Sequence, residues 1–396
     1  MGMFETYGRS TGSTERTPEA LVKLERLHKA LAFEQPDRVP IADFFWGSFT
    51  KRWREELGLP DDADPYYHYD LDMIVTVPNM DPHIRQFETL REDDEEVVIK
   101  TGYETTIRKR FDLPMPEQIS WETDTIEKME AFEFDDPYDR RRYFEAGDNQ
   151  IAGVGDGFER NSPPWVETVK SLHVDMPVFG SVGEAGETTT RLLGQLNTLT
   201  WIGEYPERFG EQLLRIGDFA YEVAKAQIEA ADGLLDGMVI WGDVAYKKGL
   251  FMGPAYWRKY YKPSVAKIIE LCHDNDLPVM YHGCGNANTY IEDMVEIGLD
   301  IYNPLEVKAD LDVNDLRARL GNHLAFMGNS DIRVWERGDP DEVRREVLHR
   351  LRAAKNGGYI FASDHSVSSD VSGQTYDLIV RTVREFGDYP LDLPEE

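Results

Sequence analysis

The amino-acid sequence predicts a (β/α)8 barrel. Eight short apolar segments rich in β-branched residues recur along the chain, and amphipathic helical segments separate them in its second half. The apolar runs are nearly continuous, which is typical of parallel strands that are covered on both faces. No GxGxxG or phosphate-loop motif favours an open nucleotide-binding sheet. Eight strand–helix units over this length therefore favour a closed barrel.

The elements follow in a regular order. Residues 1–20 are expected to be a flexible segment before a single barrel domain of residues 21–396. The stretch "TPEALVKLERLHKALAFEQ" predicts a first helix, with Thr17 as its N-cap and Pro18 at its first position. The predicted strands are residues 38–45, 71–79, 176–182, 234–244, 277–285, 298–306, 323–331 and 357–365, and the predicted later helices are residues 253–276, 288–298, 312–321 and 339–357.

One segment interrupts the alternation of strands and helices. The stretch "EEVVIKTGYETTIRKRFDLP" has alternating runs on both sides of the turn residues "TGY". It predicts a β-hairpin inserted after the second strand. Residues 117–175 are polar, aromatic and poorly periodic. We expect them to form helices and loops over the barrel mouth rather than a separate domain.

The composition limits the class of protein. The chain has 396 residues, of which 41% are hydrophobic and 30% charged, as in a soluble globular protein. No apolar run is long enough to span a membrane, and the N-terminus lacks the apolar core of a signal peptide. A net charge of -31 disfavours nucleic acid and anionic membranes as partners. Two cysteines cannot build a disulfide framework, which fits a reducing cytoplasm.

The functional groups of this fold lie at the C-terminal ends of its strands. Polar residues are expected there in any case, because strands end in solvent. The unusual feature is that a cysteine and two of the nine histidines fall at the same end of the barrel. In strand order these ends contribute Asp43, Phe44 and Trp46, then Asn79, Glu184, Trp241 and Asp243, His282 and Cys284, Glu306, Asn329 and Asp331, and finally His365.

His282 and Cys284 form the most informative pair. They are two residues apart on an extended segment, so both side chains point to the same face. A thiolate and an imidazole together suit Zn2+. An HxC pair alone also fits a packed core cysteine or a nucleophilic cysteine, and these three interpretations remain open. His365, after strand eight, is a candidate third ligand, and three ligands with an open fourth position are typical of catalytic zinc.

The sequence resembles the uroporphyrinogen decarboxylase superfamily, and within it the zinc-dependent methyltransferases that act with corrinoid proteins. The resemblance covers essentially the whole predicted barrel, and it implies the same (β/α)8 fold. It is carried by "EQPDRVPIADF" and by residues 242–268, 281–286, 298–335 and 357–372.

The resemblance also implies a ligand set. The corrinoid methyltransferases of the superfamily bind zinc through an HxC pair on strand five, here His282 and Cys284, and through a cysteine after strand eight. In this chain the matching stretch "SDHSV" has His365 at that position, as true decarboxylases do. Glu306 and Asp243 are the competing third ligands. Hydrogen bonding to substrate is the alternative role for His365.

The stretch after strand one separates the two activities of the superfamily. The resemblance implies that decarboxylases carry an arginine there, which holds substrate carboxylates. Here the stretch reads "ADFFWGSFTKRW", with Arg52 several residues downstream. Phe44, Phe45 and Trp46 stand in place of a charged clamp. Aromatic walls suit an apolar or methylated substrate, although the same side chains fit ordinary packing at the barrel top.

The leading hypothesis is a cytoplasmic, zinc-dependent methyltransferase. It would move a methyl group between a small methylated compound (methoxy, methylamine or methylthio type) and the corrinoid, or cobalamin, of a separate protein. Asp243 and Glu306 are the predicted catalytic residues, for proton handling or for support of His282. A metal-free decarboxylase and a non-catalytic barrel that serves as a binding subunit are the alternatives. The resemblance makes a homodimer a reasonable expectation. The predicted substrate-binding residues are Phe44, Trp46, Asn79, Glu184, Trp241, Tyr246, Asn329 and Asp331.

Overall fold

A curled parallel sheet organises the computed structural model, which describes residues 15–113, 115–151 and 158–394. The first fourteen residues of the segment expected to be flexible lie outside these ranges. The strands are β1 (Ile74–Val75), β2 (Glu88–Glu92), β3 (Glu96–Lys100), β4 (Thr105–Arg110), β5 (Glu117–Trp121), β6 (Gly147–Asn149), β7 (Glu159–Ser162), β8 (Val178–Gly183), β9 (Gly237–Trp241), β10 (Ala245–Tyr246), β11 (Gly249–Leu250), β12 (Val279–His282), β13 (Ile301–Asn303), β14 (Ala325–Met327) and β15 (Tyr359–Ile360).

Seven strands form the main sheet, and an eighth segment closes it. The strand order is β1-β8-β9-β12-β13-β14-β15, with every pair parallel. The segment around Ile41 lies between the two edges, because the amide of Asp72 donates to Ile41 and the amide of Ala42 donates to Phe361. This arrangement confirms the predicted (β/α)8 barrel. The first predicted strand, residues 38–45, is present only as isolated bridges. Pro40 contributes to this irregularity because it cannot donate a ladder hydrogen bond.

Helices surround the barrel. Thr17 caps the first helix as predicted, since its side chain accepts from the amide of Ala20 at 3.1 Å. The predicted helix 253–276 is divided at Tyr261, and a new helix begins at Lys262 with Pro263 in its first turn. Across the described ranges, no helix is both long and apolar enough to cross a bilayer. The helices are α1 (Pro18–Leu31), α2 (Gly47–Leu57), α3 (Pro65–His68), α4 (Ile126–Glu130), α5 (Trp165–Asp175), α6 (Ala185–Glu204), α7 (Pro206–Ala231), α8 (Pro254–Tyr260), α9 (Lys262–His273), α10 (Ile291–Glu296), α11 (Val313–Leu320), α12 (Ile332–Arg337), α13 (Pro340–Leu351) and α14 (Gly373–Phe386).

The insertion after the second barrel strand is larger than the predicted hairpin. The hairpin is present as β3 and β4, but they are the middle pair of a four-stranded antiparallel sheet, β2-β3-β4-β5. The expectation of only helices and loops over residues 117–175 is therefore wrong for β5, β6 and β7, whereas α4 and α5 agree with it. These strands are short and largely polar or exposed, so they lack the apolar alternation that indicates a strand.

The barrel interior explains how the site is presented. Met280, Val239 and Ile301 belong to a buried cluster to which strands all around the barrel contribute. Side chains two residues further along a strand share the same face. His282 therefore follows Met280 on the inner face of β12, at the C-terminal end of the barrel. Asn303 follows Ile301 on β13 in the same way.

Candidate metal centre

The register of three strands brings a histidine to its hydrogen-bond partner. His282 is paired with Trp241 of β9 on one side and with Asn303 of β13 on the other. The Nδ1 atom of His282 lies 2.5 Å from Oδ1 of Asn303. A second hydrogen bond orients the side-chain amide of Asn303, because its Nδ2 donates to the carbonyl of Met327 at 3.1 Å. An oxygen acceptor requires Nδ1 of His282 to carry the proton, so Nε2 keeps its lone pair for a metal.

The turn after β12 holds Cys284 beside this nitrogen. Its Sγ atom lies 3.8 Å from Nε2 of His282. The amide of Cys284 donates to Oδ1 of Asp243 at 2.8 Å, and the amide of Gly285 donates to Oε2 of Glu306 at 2.8 Å. Gly285 has a φ of 86°, and a Cβ there would lie 2.7 Å from the backbone of Ala245. Glycine and two carboxylates therefore fix this turn.

Two groups of ligand atoms share Cys284. Asp243, His282 and Cys284 form the first group, and Cys284, Glu306 and His365 form the second. Within each group the ligand atoms lie within 4.8 Å of one another. Sulfur, imidazole nitrogen and carboxylate oxygen are the ligands that zinc takes in proteins. The residues present therefore fit a zinc ion.

The two cysteines of the chain differ in environment. Cys272 is fully buried on α9, and burial raises its pKa to about 12, as for a packed core thiol. Cys284 is half-buried at the barrel mouth. Burial raises the pKa of the Cys284 thiol well above its ordinary value, and the Asp243 and Glu306 carboxylates add to the shift. A thiol that keeps its proton at neutral pH is a weak nucleophile. A bound cation would remove that proton. The raised pKa is common to both cysteines, and what distinguishes Cys284 is its place at the mouth beside His282 and two carboxylates.

His365 presents its imidazole to the same cluster. Burial lowers the pKa of His365, which favours the neutral ring that a metal requires. Its Nδ1 lies 3.1 Å from the carbonyl of Ser366 and donates to it, which leaves Nε2 available. Glu306 is more fully engaged, because Oε2 accepts from Gly285 and Oε1 pairs with the Lys308 ammonium at 2.8 Å. These contacts favour His365 over Glu306 as a third ligand.

Aromatic side chains form a wall beside the two histidines. The centroid of the Trp241 ring lies 4.9 Å from that of the His282 ring. The centroid of the Phe44 ring lies 5.5 Å from that of Trp241 and 5.9 Å from that of His282. The ring of Trp46 lies 6.0 Å from His365. Three of the predicted substrate-binding residues are therefore at the cluster. Their surfaces offer apolar contact rather than charge.

Two further predicted residues lie near the mouth. Glu184 caps α6, where its Oε1 accepts from the amide of Gly186 at 2.9 Å. Burial raises the pKa of Glu184 to about 8, so its carboxyl is largely protonated at neutral pH. Its own amide donates to the carbonyl of Trp241. Tyr246 is exposed in the β10–β11 hairpin, and its ring stacks on Phe251 at 5.7 Å.

The remaining predicted residues use their side chains elsewhere. Asn79 donates to the carbonyl of Asp148 and accepts from the amide of Asp81. Asn329 is fully buried, and its amide makes hydrogen bonds to two carbonyls, one backbone amide and a guanidinium. Asp331 caps α12 and pairs with Arg333. These contacts stabilise turns, and the structure does not bring the three side chains to the ligand cluster.

Sequence reasoning gave Asn303 no role. Its partnership with His282 depends on the register of β13 against β12, which no local pattern in the sequence reveals. Asp364 is not among the predicted site residues, because its neighbour His365 faces the opposite way on an extended strand, and in the structure its carboxylate holds two loops at the mouth. One of its oxygens accepts from the amide of Ile332 and the other from the amide of Val307, each at 2.8 Å.

A parallel (β/α)8 barrel with titratable side chains and candidate metal ligands at the C-terminal ends of its strands is the arrangement typical of barrel enzymes. Comparison with known families makes the assignment more specific. The family model described as uroporphyrinogen decarboxylase (URO-D) matches residues 158–386, more than half of the chain. The chain belongs to this family, which confirms the predicted superfamily.

Curated relatives carry the family's name. The uroporphyrinogen decarboxylase of Hydrogenovibrio crunogenus is 27% identical over 227 residues, which are 54% of this chain and 61% of that protein. The one from Synechocystis is 33% identical over 107 residues, 27% of this chain and 29% of that protein. The chain thus spans less than two thirds of the length of these relatives. Among solved structures, a methyltransferase from Methanosarcina mazei superposes with a TM-score of 0.61 at 16% identity, covering 92% of this chain and 98% of that one, which shows a shared fold.

Proposed function

We propose that this protein is a zinc-dependent methyltransferase. It moves a methyl group between a small methylated compound and the corrinoid of a separate partner protein in the cytoplasm. The observation that carries the proposal is the 3.8 Å approach of Cys284 Sγ to His282 Nε2, with Asn303 holding the imidazole in its ligand tautomer. The shared fold with the Methanosarcina mazei methyltransferase supports the same interpretation. We also propose that the protein is a homodimer.

His282, Cys284 and His365 are the proposed zinc ligands. A zinc ion held there supplies Lewis-acid chemistry to the heteroatom that carries or receives the methyl group. Asp243 fixes the cysteine turn through one oxygen, and as an exposed carboxylate at the mouth it is suited to hold or pass on a proton. Glu306 holds the following residue of the same turn. The aromatic wall excludes water and orients the methylated group.

Decarboxylation is the second candidate, because the curated relatives are named for it. The charges described at the cluster argue against a poly-carboxylate substrate. Asp243 and Glu306 are acidic, and the nearby cation Lys308 is already paired with Glu306. A porphyrinogen with many carboxylates would meet negative charge where it needs a cationic clamp. A non-catalytic binding subunit, the third candidate, predicts that His282, Cys284 and Asp243 can be replaced together without functional effect.

Metal analysis of the full chain tests the proposal, and the second cysteine provides a matched control. We expect about one zinc ion per chain in the wild type and in Cys272→Ala, and loss of zinc in Cys284→Ala with an unchanged circular dichroism spectrum. Methylcobalamin and reduced cobalamin serve as probes for methyl transfer, followed through the cobalt absorbance. A well-folded chain that does not bind zinc would contradict the proposal. Turnover of uroporphyrinogen by that metal-free chain would instead establish the decarboxylase.

A further inference from the structure

Two segments beside the barrel mouth lack acidic residues in an otherwise strongly acidic chain. The net charge is -31, yet residues 244–269 contain six lysine or arginine residues and no aspartate or glutamate. Residues 188–203 also contain no acidic residue. The first segment forms the β10–β11 hairpin, α8 and most of α9, and the second forms most of α6. Leu199 of α6 lies across a narrow crevice from Phe251, so the two segments adjoin.

The turn of the hairpin carries an excess of positive charge. Lys247 and Lys248 are both exposed there, and within the described part of the chain neither ammonium forms an ion pair. By contrast, Lys262 on α9 is neutralised by Asp293 and Glu296. The two hairpin lysines are therefore cations without a counter-charge on this chain's described surface.

Apolar side chains accompany these cations. Tyr246, on the same hairpin, is 47% exposed. Helix α6 is broken at Gly194, where φ is 76°, and its second half exposes Leu196 by 78% and Leu199 by 38%. These two leucines are three residues apart, so they lie on the same side of the helix. An apolar centre with charged groups around it is the composition of a protein interface. We call the surface of Leu196, Leu199, Tyr246, Lys247 and Lys248 the lysine face.

The hairpin packs directly against the turn that holds Cys284. The carbonyl of Tyr246 accepts from the amide of Asn286 at 2.9 Å. A Cβ on Gly285 would lie 2.7 Å from the backbone of Ala245, so the two segments are in contact. A partner that sits on the lysine face therefore covers the mouth beside the proposed zinc ligands.

Charge complementarity selects the kind of partner. An acidic protein is attracted by Lys247 and Lys248 and repelled by the acidic surface elsewhere, so it approaches in a defined orientation. A second copy of this chain fits less well. A two-fold contact through this face would bring the two lysines against their own counterparts.

We propose that the lysine face is the docking surface for an acidic protein that carries the corrinoid and presents it at the barrel mouth. This inference rests on the proposed methyl transfer, to which it adds the surface charge of the partner and its direction of approach. Lys247 and Lys248 increase the rate of association, and Leu196 and Leu199 supply apolar contact.

Photo-crosslinking in the organism that makes this protein identifies the partner. Benzoylphenylalanine replaces Leu196 in one chain and, in a control chain, Leu21, which is 53% exposed on α1. The N-terminus of α1 is bonded to Val174, just before β8, at the opposite end of the barrel from the mouth. We expect an acidic, cobalt-containing protein to be attached at position 196 and not at position 21. The proposal is overturned if no cobalt-containing product forms at position 196, if both positions give it equally, or if a second copy of this chain is attached at position 196 instead.

Charge reversal then tests the contact with the isolated cobalt protein. Lys247→Glu combined with Lys248→Glu should lower kcat/KM for that protein about tenfold and weaken its dependence on salt, because like charges would face each other. Turnover of free methylcobalamin should stay unchanged. Lys225→Glu combined with Lys355→Glu alters the net charge equally but outside the lysine face, and it should retain wild-type kcat/KM for the cobalt protein. Equal losses in the two double variants would show a general effect of net charge and overturn the docking assignment.

Failure of the docking assignment differs from failure of the proposed function. A zinc-containing chain that transfers methyl groups with free cobalamin, and whose reaction with the cobalt protein is unaffected by charge reversal, would overturn the docking assignment alone. A cobalt protein attached at position 196 of a chain that neither binds zinc nor transfers methyl groups would overturn the proposed function and leave the docking surface intact.

Discussion

Asn303 determines which nitrogen of His282 is free. Its Oδ1 accepts from Nδ1 of His282 at 2.5 Å, and its Nδ2 is held by the carbonyl of Met327 at 3.1 Å. The amide cannot turn over without losing both contacts, so the imidazole presents Nε2 toward Cys284 before any metal arrives. Partners of this kind fix the ligand tautomer and raise the basicity of the ligand.

Replacing Asn303 tests this arrangement directly. Asn303→Leu keeps the approximate volume but removes the acceptor, and we expect its zinc affinity to fall about 10- to 100-fold. Asn303→Asp retains an oxygen beside Nδ1, and its affinity should stay close to that of the wild type. Competition with a chromophoric chelator measures the dissociation constants. If the leucine variant binds zinc as tightly as the aspartate variant, Asn303 does not set the tautomer of His282 that binds the metal.

The barrel could be predicted because its strands carry a strong local signal. The buried runs that became β9, β12 and β13 are apolar on both faces, and parallel strands under helices require that pattern. The inserted sheet gave a weaker signal. All five residues of β2 are exposed, so its stability comes from pairing with β3 rather than from an apolar face that the sequence displays.

The site was only partly predictable for a related reason. His282 and Cys284 are close in sequence, and their shared face follows from strand geometry alone. The position of His365 beside them depends on barrel closure, and the partner of His282 depends on strand register. The sequence predicted a substrate-binding role for Asn329 because it follows a strand at the C-terminal end of the barrel. Its buried amide serves the turn instead, because unpaired backbone groups there need partners.

The third ligand can be identified by comparing two variants. Glu306→Gln keeps an oxygen for the amide of Gly285, so it should change zinc affinity by less than about threefold. His365→Ala removes a ligand nitrogen, and we expect a loss of at least about 100-fold. The visible spectrum of the cobalt-substituted protein reports the number of ligands in each variant. A cobalt spectrum that changes in Glu306→Gln but not in His365→Ala would assign the third ligand to Glu306.

The stability of the fold should depend on pH through Asp43. This side chain is buried between Ser363 and Tyr376, and burial raises its pKa from 3.8 to about 7. Between these values the native state holds a proton that the unfolded chain has released, so stability falls as pH rises from about 4 to 7. At about 1.4 kcal/mol per pKa unit, the loss has an upper limit of roughly 4 kcal/mol.

Urea unfolding from pH 5 to 8 measures this effect. The wild type should lose stability relative to Asp43→Asn up to about pH 7, and the difference should then be constant. Asp37→Asn is the control, because the hydrogen bond from the Arg26 guanidinium, which stays charged throughout this range, lowers the pKa of Asp37. The contribution of this ionised carboxylate to the free energy of unfolding is therefore complete above pH 5, and it should not vary between pH 5 and 8. A wild-type curve parallel to that of Asp43→Asn throughout would contradict the prediction.

The break in α6 should depend on glycine at position 194. An alanine there would have to adopt φ 76° with its Cβ 2.5 Å from Trp121, so we expect Gly194→Ala to destabilise the fold by roughly 2–4 kcal/mol. At Gly203, later in the same helix, an added Cβ would have no neighbouring atom within 4 Å, and Gly203→Ala should add about 0.5–1 kcal/mol. Urea unfolding measures both changes. Equal stability of the two variants would show that the break does not require glycine.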